Sequence, residues 1–310
     1  MRFDDITGLV GNTPLVGISS LSPNPHVRIW AKLEGQNPTG SLKDRIARAM
    51  LDAAERSGEL TPDRILLEPT SGNTGISLAF LARRRGHRLL CVMPETASAE
   101  RRQLIEAYGG EIRLTEGEFG SNGAIEVARK MAAEDPRYLM LYQYGNAANP
   151  AAHYETTGPE IVADCPEITH FVAGLGTGGT LTGVGRFLRE RRPEVQVIAA
   201  EPQQGDLVYG LRSLDDGFVP PVFDPSVLHG RFKVGAEDSV RLTREVLDKE
   251  GIFCGISSGA TVHVARRIAE RIDAGDIVCL FADGGWKYLS TELWTKQLEK
   301  AAGDVEYMPW

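Results

Sequence analysis

Apolar positions follow two different periods along the chain. From residue 64 to 144 the apolar runs RILLEP, RLLCVMP, EIRLT and YLMLYQY alternate with amphipathic helical patterns at 74–85, 97–108 and 122–133. A second series consists of THFVAGLG, a helix at 180–191, VQVIAAEP, helices at 236–250 and 259–272, and DIVCLFAD. This alternation of strands and helices predicts an α/β fold with two parallel sheets covered by helices.

The segment between the two series differs in composition. YGNAANPAAHYETTGPE, at 142–160, predicts the crossover between two domains. A stretch rich in Gly, Asp and Pro, at 205–225, interrupts the second series. Because ligands of parallel α/β sheets bind at the carboxyl ends of the strands, the strand-to-helix loops are the candidate binding sites.

The balance of charged residues limits the kinds of molecule that the protein is expected to bind. The 310 residues include 42 acidic and 34 basic side chains, which gives a formal net charge of −8, and no run is rich in Lys or Arg. This balance argues against a nucleic-acid or anionic-membrane partner and favours a small-molecule substrate. The length is typical of two domains or of one large α/β unit.

Cysteines, histidines and the N-terminus indicate the cellular setting. The four cysteines are scattered without a CxxC pair, so we expect reduced thiols, with neither zinc nor a disulfide framework. The six histidines show no HExxH or paired spacing, and we assign no metal. The acidic start MRFDDITG and the lack of a long apolar run predict a cytoplasmic protein.

Two strand-to-helix loops have the composition of anion sites. The first, PTSGNTG at 69–75, offers hydroxyls, an amide and backbone donors to a carboxylate or phosphate, although such residues also cap helices. The second, GLGTGGT at 174–180, matches the dinucleotide pattern GxGxxG, with Glu201 near the ribose position. Its Thr177 and Thr180 hydroxyls favour a terminal phosphate. A turn that only permits close helix packing is the alternative.

Three other positions carry weaker signals. Ser257 lies in CGISSGA at 254–260, where a serine could equally serve only as the N-cap of a helix that starts at Gly259. Gln143 ends a predicted strand, and Arg212 closes YGLR in the irregular segment, where a lone arginine is more often a surface residue.

Lys43 stands out because of its charge. Ser41 is a suitable N-cap for a helix that runs to Ser57, which puts Lys43 in the first turn. The positive end of the helix dipole disfavours an ammonium there, lowers its pKa and favours the neutral amine that a Schiff base requires. A solvent-exposed lysine beside Asp44 is the alternative.

Several motifs together resemble the cysteine synthase family of fold-type II pyridoxal-phosphate enzymes. GNTPL, NPTGSLKDR, PTSGNTG, GLGTGGT and GISSGA occur in the family order, and the resemblance extends from residue 11 to about 288. It implies two doubly wound parallel-sheet domains, as in the tryptophan synthase β subunit, with pyridoxal 5′-phosphate in the cleft between them. It also implies a homodimer with a smaller domain at 44–148, a larger one at 1–43 plus 149–300, and a flexible tail at 301–310.

The resemblance implies a role for each candidate residue. Lys43 would form the Schiff base and act as the general base, Asn73 would contact the pyridine 3′-oxygen, and Ser257 the pyridine nitrogen. The cofactor phosphate would be bound by Gly176, Thr177, Gly178, Gly179 and Thr180. The substrate α-carboxylate would be bound by Thr70, Ser71, Thr74 and Gln143.

Three further segments resemble the actinobacterial cysteine synthase M type, namely WAKLEGQNPTGSLKDR, YGLRSLDDGFVP and GWKYLST. This implies an O-phosphoserine sulfhydrylase in which Arg212 recognises the substrate phosphate and the tail closes over an aminoacrylate intermediate. Sulfur would come from a small thiocarboxylated carrier protein or from sulfide. The alternatives are an O-acetylserine sulfhydrylase, a cystathionine β-synthase, an NAD-binding oxidoreductase and a binding protein built on an inactive enzyme.

Overall fold

A computed structural model describes residues 2–206 and 208–296. The tail predicted at 301–310 lies outside the described residues. Within the described ranges the strands form two separate sheets, as the sequence predicts. No helix in these ranges is long and apolar enough to cross a membrane.

The larger sheet has six strands in the order β1-β2-β10-β7-β8-β9. All neighbouring strands are parallel except β1, which pairs antiparallel with β2. The strands are β1 (Leu15–Gly17), β2 (Val27–Leu33), β7 (His170–Gly174), β8 (Gln196–Pro202), β9 (Gly230–Val234) and β10 (Gly275–Phe281). The helices that follow its strands are α7 (Gly179–Arg191), α8 (Ala236–Glu250) and α9 (Ile256–Ala269).

The smaller sheet has four parallel strands in the order β5-β4-β3-β6. The strands are β3 (Ile65–Pro69), β4 (Arg88–Pro94), β5 (Glu111–Thr115) and β6 (Tyr138–Met140). The helices are α1 (Lys43–Arg56), α2 (Asn73–Arg85), α3 (Ala99–Ala107) and α4 (Gly120–Glu134). Apolar side chains of α1 and α2 form one buried core with β3 and β4, and each fully buried Leu or Ile contributes roughly 1.5–3 kcal/mol through the hydrophobic effect.

The segment between the two sheets is helical. It consists of α5 (Ala148–Ala152), a π turn (His153–Thr157) and α6 (Gly158–Asp164), which follow one another without a break. The change in composition at 142–160 therefore coincides with a helical connection between the sheets. The exact domain limits drawn from the sequence stay a prediction.

Two predicted elements differ from the structure, and three strands were not predicted. The strand expected through Tyr144 stops at Met140, because Tyr142 has a φ of 57° and the Tyr142 and Gln143 N–H groups donate to the Glu68 carboxylate. The helix expected from Gly259 begins at Ile256, so Ser257 lies in its first turn and is not an N-cap. Strands β1, β2 and β9 were not predicted.

Both sheets contain a point where the strand order reverses. In the smaller sheet β6 lies on the opposite side of β3 from β4, and in the larger sheet β10 lies on the opposite side of β7 from β8. Loops that leave neighbouring strands at such a point run in opposite directions and open a crevice. The loops after β3, β6, β7 and β10 therefore form the walls of one cleft.

Candidate active site

The cleft contains about 980 Å³ of empty space, part of it open to solvent. Nearly all the candidates from the sequence line it, although they come from distant parts of the chain: Lys43, Thr70, Ser71, Asn73, Thr74, Gln143, Gly176, Thr177, Gly178, Thr180, Arg212 and Ser257. Gly179 is the exception, because it is buried behind the loop and faces Asn149. The fold thus brings the predicted residues together without assigning their roles.

Lys43 is the first residue of α1, and Ser41 Oγ accepts its backbone N–H at 3.3 Å. Burial lowers the pKa of its ammonium to about 8, and the nearby Asp283 carboxylate opposes the change. The direction agrees with the sequence prediction, and the largest cause is desolvation. No hydrogen bond joins Lys43 Nζ to another side chain in the described part of the chain, so the amine is free to react.

The glycine loop at 174–179 leaves β7 and ends at the N-terminus of α7. Gly178 has a φ of 79°, in the left-handed region, and a Cβ there would lie 2.6 Å from Phe223. This conformation turns the loop so that the Thr177 and Thr180 side chains line the cleft. Backbone donors at the positive end of a helix, together with two hydroxyls, are suited to a phosphate dianion.

Glu201 is not available for the ribose contact that a dinucleotide site requires. It is fully buried, with ion pairs to Arg231 at 3.0 Å and Lys233 at 2.6 Å. The N–H of Leu214 also donates to Glu201 Oε1 at 2.7 Å. The carboxylate therefore holds the irregular segment against β9.

The loop between β3 and α2 is braced by residues that follow β6. Thr74 Oγ1 donates to Gln143 Oε1 at 2.6 Å, and Gln143 Nε2 donates to the Pro69 carbonyl at 3.2 Å. Burial raises the pKa of Glu68 to about 8, although its hydrogen bonds with Tyr142 and Gln143 oppose the change. These contacts fix a cluster of hydroxyl and amide groups beside the positive end of α2, where a carboxylate is favoured.

Arg212 is 5% exposed and lines the opposite part of the cleft. Its Nη1 donates to Asn122 Oδ1 of α4 at 3.0 Å. The guanidinium carbon lies 4.7 Å from the centre of the Phe218 ring and 5.6 Å from that of Tyr144. The guanidinium is therefore buried among aromatic rings and makes no ion pair with a carboxylate in the described ranges, although the Asp216 carboxylate interacts with it electrostatically.

Sequence reasoning missed a charged cluster on the α3 side of the cleft. Asp283 Oδ2 accepts hydrogen bonds from Asn73 Nδ2 at 2.7 Å and Tyr288 Oη at 2.6 Å. Lys287 Nζ donates to Asn73 Oδ1 at 2.8 Å, and the Arg101 guanidinium lies 4.7 Å from the Tyr288 ring. Asp283 follows β10 closely, so the rule that sites lie at the carboxyl ends of strands could have identified it. Arg101 lies within α3 and carries no such signal.

The donors in the cleft suit pyridoxal 5′-phosphate. The glycine loop can bind the phosphate, Lys43 offers an amine of lowered pKa to the carbonyl, and the Ser257 hydroxyl offers a neutral partner to the ring nitrogen. Asn73 is held on both sides of its amide by Asp283 and Lys287.

Comparison with known proteins also indicates a pyridoxal-phosphate-dependent enzyme. The model of the family "Pyridoxal-phosphate dependent enzyme" matches residues 6–283. The chain belongs to this family. Cysteine synthase B of Salmonella typhimurium is 43% identical over 283 residues, which cover 91% of this chain and 93% of the relative.

Solved structures of pyridoxal-phosphate-dependent enzymes share the fold. An O-ureido-L-serine synthase superposes with a TM-score of 0.89 and is 41% identical, covering 95% of this chain and 96% of its own. Cysteine synthase from Entamoeba histolytica superposes with a TM-score of 0.89 and is 32% identical, covering 99% of this chain and 96% of its own. The protein is therefore a pyridoxal-phosphate-dependent enzyme of the cysteine synthase type, and its fold is the predicted pair of doubly wound sheets.

Proposed function

We propose that the protein makes L-cysteine from O-phospho-L-serine and a sulfur donor by β-replacement. The buried guanidinium of Arg212, which makes no ion pair with a carboxylate in the described ranges, carries this proposal. A phosphate leaving group is a dianion that needs several N–H donors with positive charge, whereas an acetyl group needs none. Asn122 leaves part of the guanidinium fork free for the substrate.

The remaining cleft residues divide the work of binding and proton transfer. The bound cofactor supplies a carbonyl for the amine and a ring that withdraws electrons from the substrate Cα. Lys43 removes the Cα proton and later returns one, which its lowered pKa of about 8 favours near neutral pH. The Thr70 and Ser71 hydroxyls and the Gln143 Nε2 group bind the substrate α-carboxylate, and Thr74 orients that amide because its hydroxyl donates to Gln143 Oε1.

Other residues of the cleft bind the cofactor itself. The donors at 176–180 bind its phosphate, Asn73 contacts the 3′-oxygen, and Ser257 contacts the ring nitrogen. A serine hydroxyl carries no charge and does not hold the ring nitrogen protonated, which favours prompt departure of the β-substituent.

Measuring kcat/KM with O-phosphoserine and O-acetylserine tests the substrate. For Arg212→Ala we expect a loss of at least about 30-fold with the phosphate ester, because a buried charged hydrogen bond costs about 2–5 kcal/mol to remove. The acetyl ester should change by less than about threefold, which is below the worth of one neutral hydrogen bond. Arg212→Lys should give an intermediate loss, since lysine lacks the planar fork.

Arg129→Ala is the matched control, because Arg129 is an α4 cation that contacts Tyr142 and does not line the cleft. An equal loss with both esters in Arg212→Ala would contradict phosphate recognition. The enzyme would then be an O-acetylserine sulfhydrylase, the alternative that the similarity to cysteine synthases favours. Homocysteine, offered as a second nucleophile, would detect a cystathionine β-synthase.

The sulfur donor in this proposal is a small thiocarboxylated carrier protein. Two exposed apolar side chains, Phe119 and Val219, adjoin residues at the cleft and suit a protein partner. Phe119 precedes the cleft residue Ser121, and Val219 follows Phe218, which contacts Arg212. Turnover with the carrier should exceed turnover with free sulfide at equal concentration; the reverse order would contradict the carrier. The homodimer and the cytoplasmic location stay predictions.

A further inference from the structure

The helical segment at 148–157 packs directly behind the glycine loop. A Cβ at Gly179 would lie 2.0 Å from Asn149 Oδ1, so only glycine permits this approach. Asn149 and His153 are each 1% exposed, and they lie four residues apart, on the same side of a helical turn. Each contacts one threonine hydroxyl of the loop.

Asn149 fixes the direction of the Thr177 hydroxyl. Its Nδ2 donates to the Gln143 carbonyl at 2.8 Å, which sets the orientation of the amide, and to Thr177 Oγ1 at 3.1 Å. The Gly179 N–H donates to the same Oγ1 at 3.3 Å. A hydroxyl oxygen accepts two hydrogen bonds, so the single proton of Thr177 is left to donate elsewhere, and its side chain lines the cleft.

His153 contacts the Thr180 hydroxyl in the way that Asn149 contacts the Thr177 hydroxyl. Its Nε2 lies 3.2 Å from Thr180 Oγ1, and its Nδ1 lies 2.9 Å from Thr157 Oγ1. The charged groups that act on the ring are Lys43, Arg45 and Glu160, and burial with the two cations holds its pKa well below the usual value. The ring is therefore neutral, with one N–H and one acceptor nitrogen.

Thr157 decides which nitrogen of His153 carries the proton. Thr157 is fully buried, and within the described ranges its hydroxyl has His153 Nδ1 as its hydrogen-bond partner. A buried hydroxyl proton needs an acceptor, so Thr157 donates to Nδ1 and the ring proton is on Nε2. Nε2–H then donates to Thr180 Oγ1, and the Thr180 proton is free to point into the cleft.

We propose that Asn149 and His153 are positioning residues that direct the Thr177 and Thr180 hydroxyl protons toward the cofactor phosphate. The Asn149 and Gly179 N–H groups fill both acceptor positions of the Thr177 hydroxyl, and His153 fills one acceptor position of the Thr180 hydroxyl, so both hydroxyl protons are left for the anion. The inference rests on the part of the proposed function that assigns the loop at 176–180 to the phosphate. It adds two buried residues outside the cleft wall to that site.

The tautomer of His153 gives a direct test. In the full-length enzyme with pyridoxal phosphate, ¹⁵N-histidine NMR should show a neutral ring protonated at Nε2 between about pH 6 and pH 8. The resonance is assigned by its loss in His153→Gln. Thr157→Val, which removes the donor to Nδ1, should weaken the preference for Nε2–H. A ring protonated at Nδ1, or a charged ring at neutral pH, would overturn the proposal.

Cofactor binding gives a second test that does not depend on turnover. Asn149→Asp and His153→Phe should raise the Kd for pyridoxal phosphate about 10- to 100-fold, the range for hydrogen bonds to a charged group. Both should also move the ³¹P resonance of the bound phosphate. His153→Gln, which keeps an N–H donor, should bind within about threefold of wild type. His170→Gln is the control, because His170 is a buried histidine of β7 that bonds Thr169 instead.

Thr177→Val and Thr180→Val distinguish a failure of the positioning role from a failure of the phosphate-site assignment. If these variants weaken binding of pyridoxal phosphate while Asn149→Asp and His153→Phe leave the Kd and the ³¹P resonance unchanged, the positioning role is wrong. If none of the four variants changes either measurement, the loop is not the phosphate site, and that part of the proposed function fails with the inference. Circular dichroism confirms that each variant is folded.

Discussion

Lys43, which lines the cleft, and Lys287, which lies behind it, share the same altered acidity but differ in their contacts. Burial lowers the pKa of both Lys43 and Lys287 to about 8. Lys287 Nζ donates to the Gly40 carbonyl at 3.1 Å and to Asn73 Oδ1, whereas Lys43 Nζ has no such bond among the described residues. At the level of single residues, reactivity is therefore decided by hydrogen bonding and not by pKa alone.

This difference predicts which lysine binds the cofactor covalently. After borohydride reduction, peptide mapping should find the pyridoxyl group on Lys43. Lys43→Ala should slow cysteine formation by about 10²- to 10⁴-fold, the usual contribution of a general base. Lys287→Met should still be labelled at Lys43. A label on Lys287 in the wild-type enzyme would contradict the assignment.

The pKa of Lys43 also predicts how cofactor attachment depends on pH. Only the neutral amine attacks a carbonyl. The neutral fraction of Lys43 rises with pH and passes through one half at about pH 8. The rate of attachment to the apoprotein, followed by absorbance, should therefore increase with pH through a midpoint near 8. A midpoint near 10.5, the ordinary value for lysine, would show that the amine is not desolvated.

Which site residues could be predicted depended on whether their signal is local. Thr177 and Thr180 stand in a recognisable loop, and Lys43 follows a recognisable cap. Asn149 and His153 act through contacts with a loop more than 20 residues away. Such contacts exist only once the chain is folded, so no local pattern identifies them.

At the level of helices, close packing depends on one position in particular. A Cβ at Gly259 of α9 would lie 2.0 Å from the Ser239 carbonyl oxygen of α8, and that backbone cannot move aside without opening the helix pair. Gly259→Ala should therefore lower the free energy of unfolding by about 1–3 kcal/mol or more, as overpacked cores do.

Urea denaturation measures the effect. Gly230→Ala is the control, because its Cβ would meet Ile198 at an ordinary 3.4 Å. Equal stability of both variants with wild type would contradict the packing argument.

Helices with a clear apolar period were predicted well. Strands whose apolar pattern is interrupted by charged residues were not. The long helices α2, α7 and α8 lie within one residue of their predicted limits, and in α8 the buried positions repeat with the helical period. β2 was missed although it lies inside the larger sheet, since the fully buried Lys32 interrupts its apolar run and is neutralised by Glu160 at 3.0 Å. β9 alternates exposed and half-buried residues at the sheet edge.

Over the whole molecule, one buried ion network joins α1, which packs on the smaller sheet, to the end of β2 in the larger sheet and to α6. The Arg45 guanidinium of α1 pairs with Glu34, which follows β2, at 2.7 Å and with Glu160 of α6 at 2.6 Å. Burial raises the pKa of Glu160, but Arg45, the Asn12 N–H and Lys32 together lower it to about 2, against an ordinary value of 4.5. Buried networks of this kind are costly to break because each remaining charge loses its partner.

The lowered pKa predicts a loss of stability in acid. A carboxylate whose pKa is lower in the folded state stabilises the fold above pH 4.5, and this contribution disappears as the pH falls from 4.5 to about 2. The slope from this group is at most about 1.4 kcal/mol per pH unit. Glu160→Gln should lose that slope and be about 1–3 kcal/mol less stable at neutral pH.

Denaturant titrations at pH values from neutral down to about 2 compare the free energies of unfolding of Glu160→Gln and the wild type. Glu111→Gln, which removes only an exposed pair with Arg88, should match the wild type within about 0.5 kcal/mol. If Glu160→Gln keeps the full wild-type slope below pH 4.5, the network does not control the acid sensitivity.

The position of Lys43 between the two sheets has a mechanical consequence. The residues just before it are tied to the larger sheet, because the Leu42 N–H donates to the Ala282 carbonyl at 2.9 Å and Ser41 bridges to Asp283. The helix that it starts is packed into the core of the smaller sheet through Ile46. A rotation of one lobe against the other about this junction would move Thr70 with the smaller sheet, while the Lys43 amine stays near the axis. Substrate could thus be enclosed or released without moving the base away from the phosphate loop.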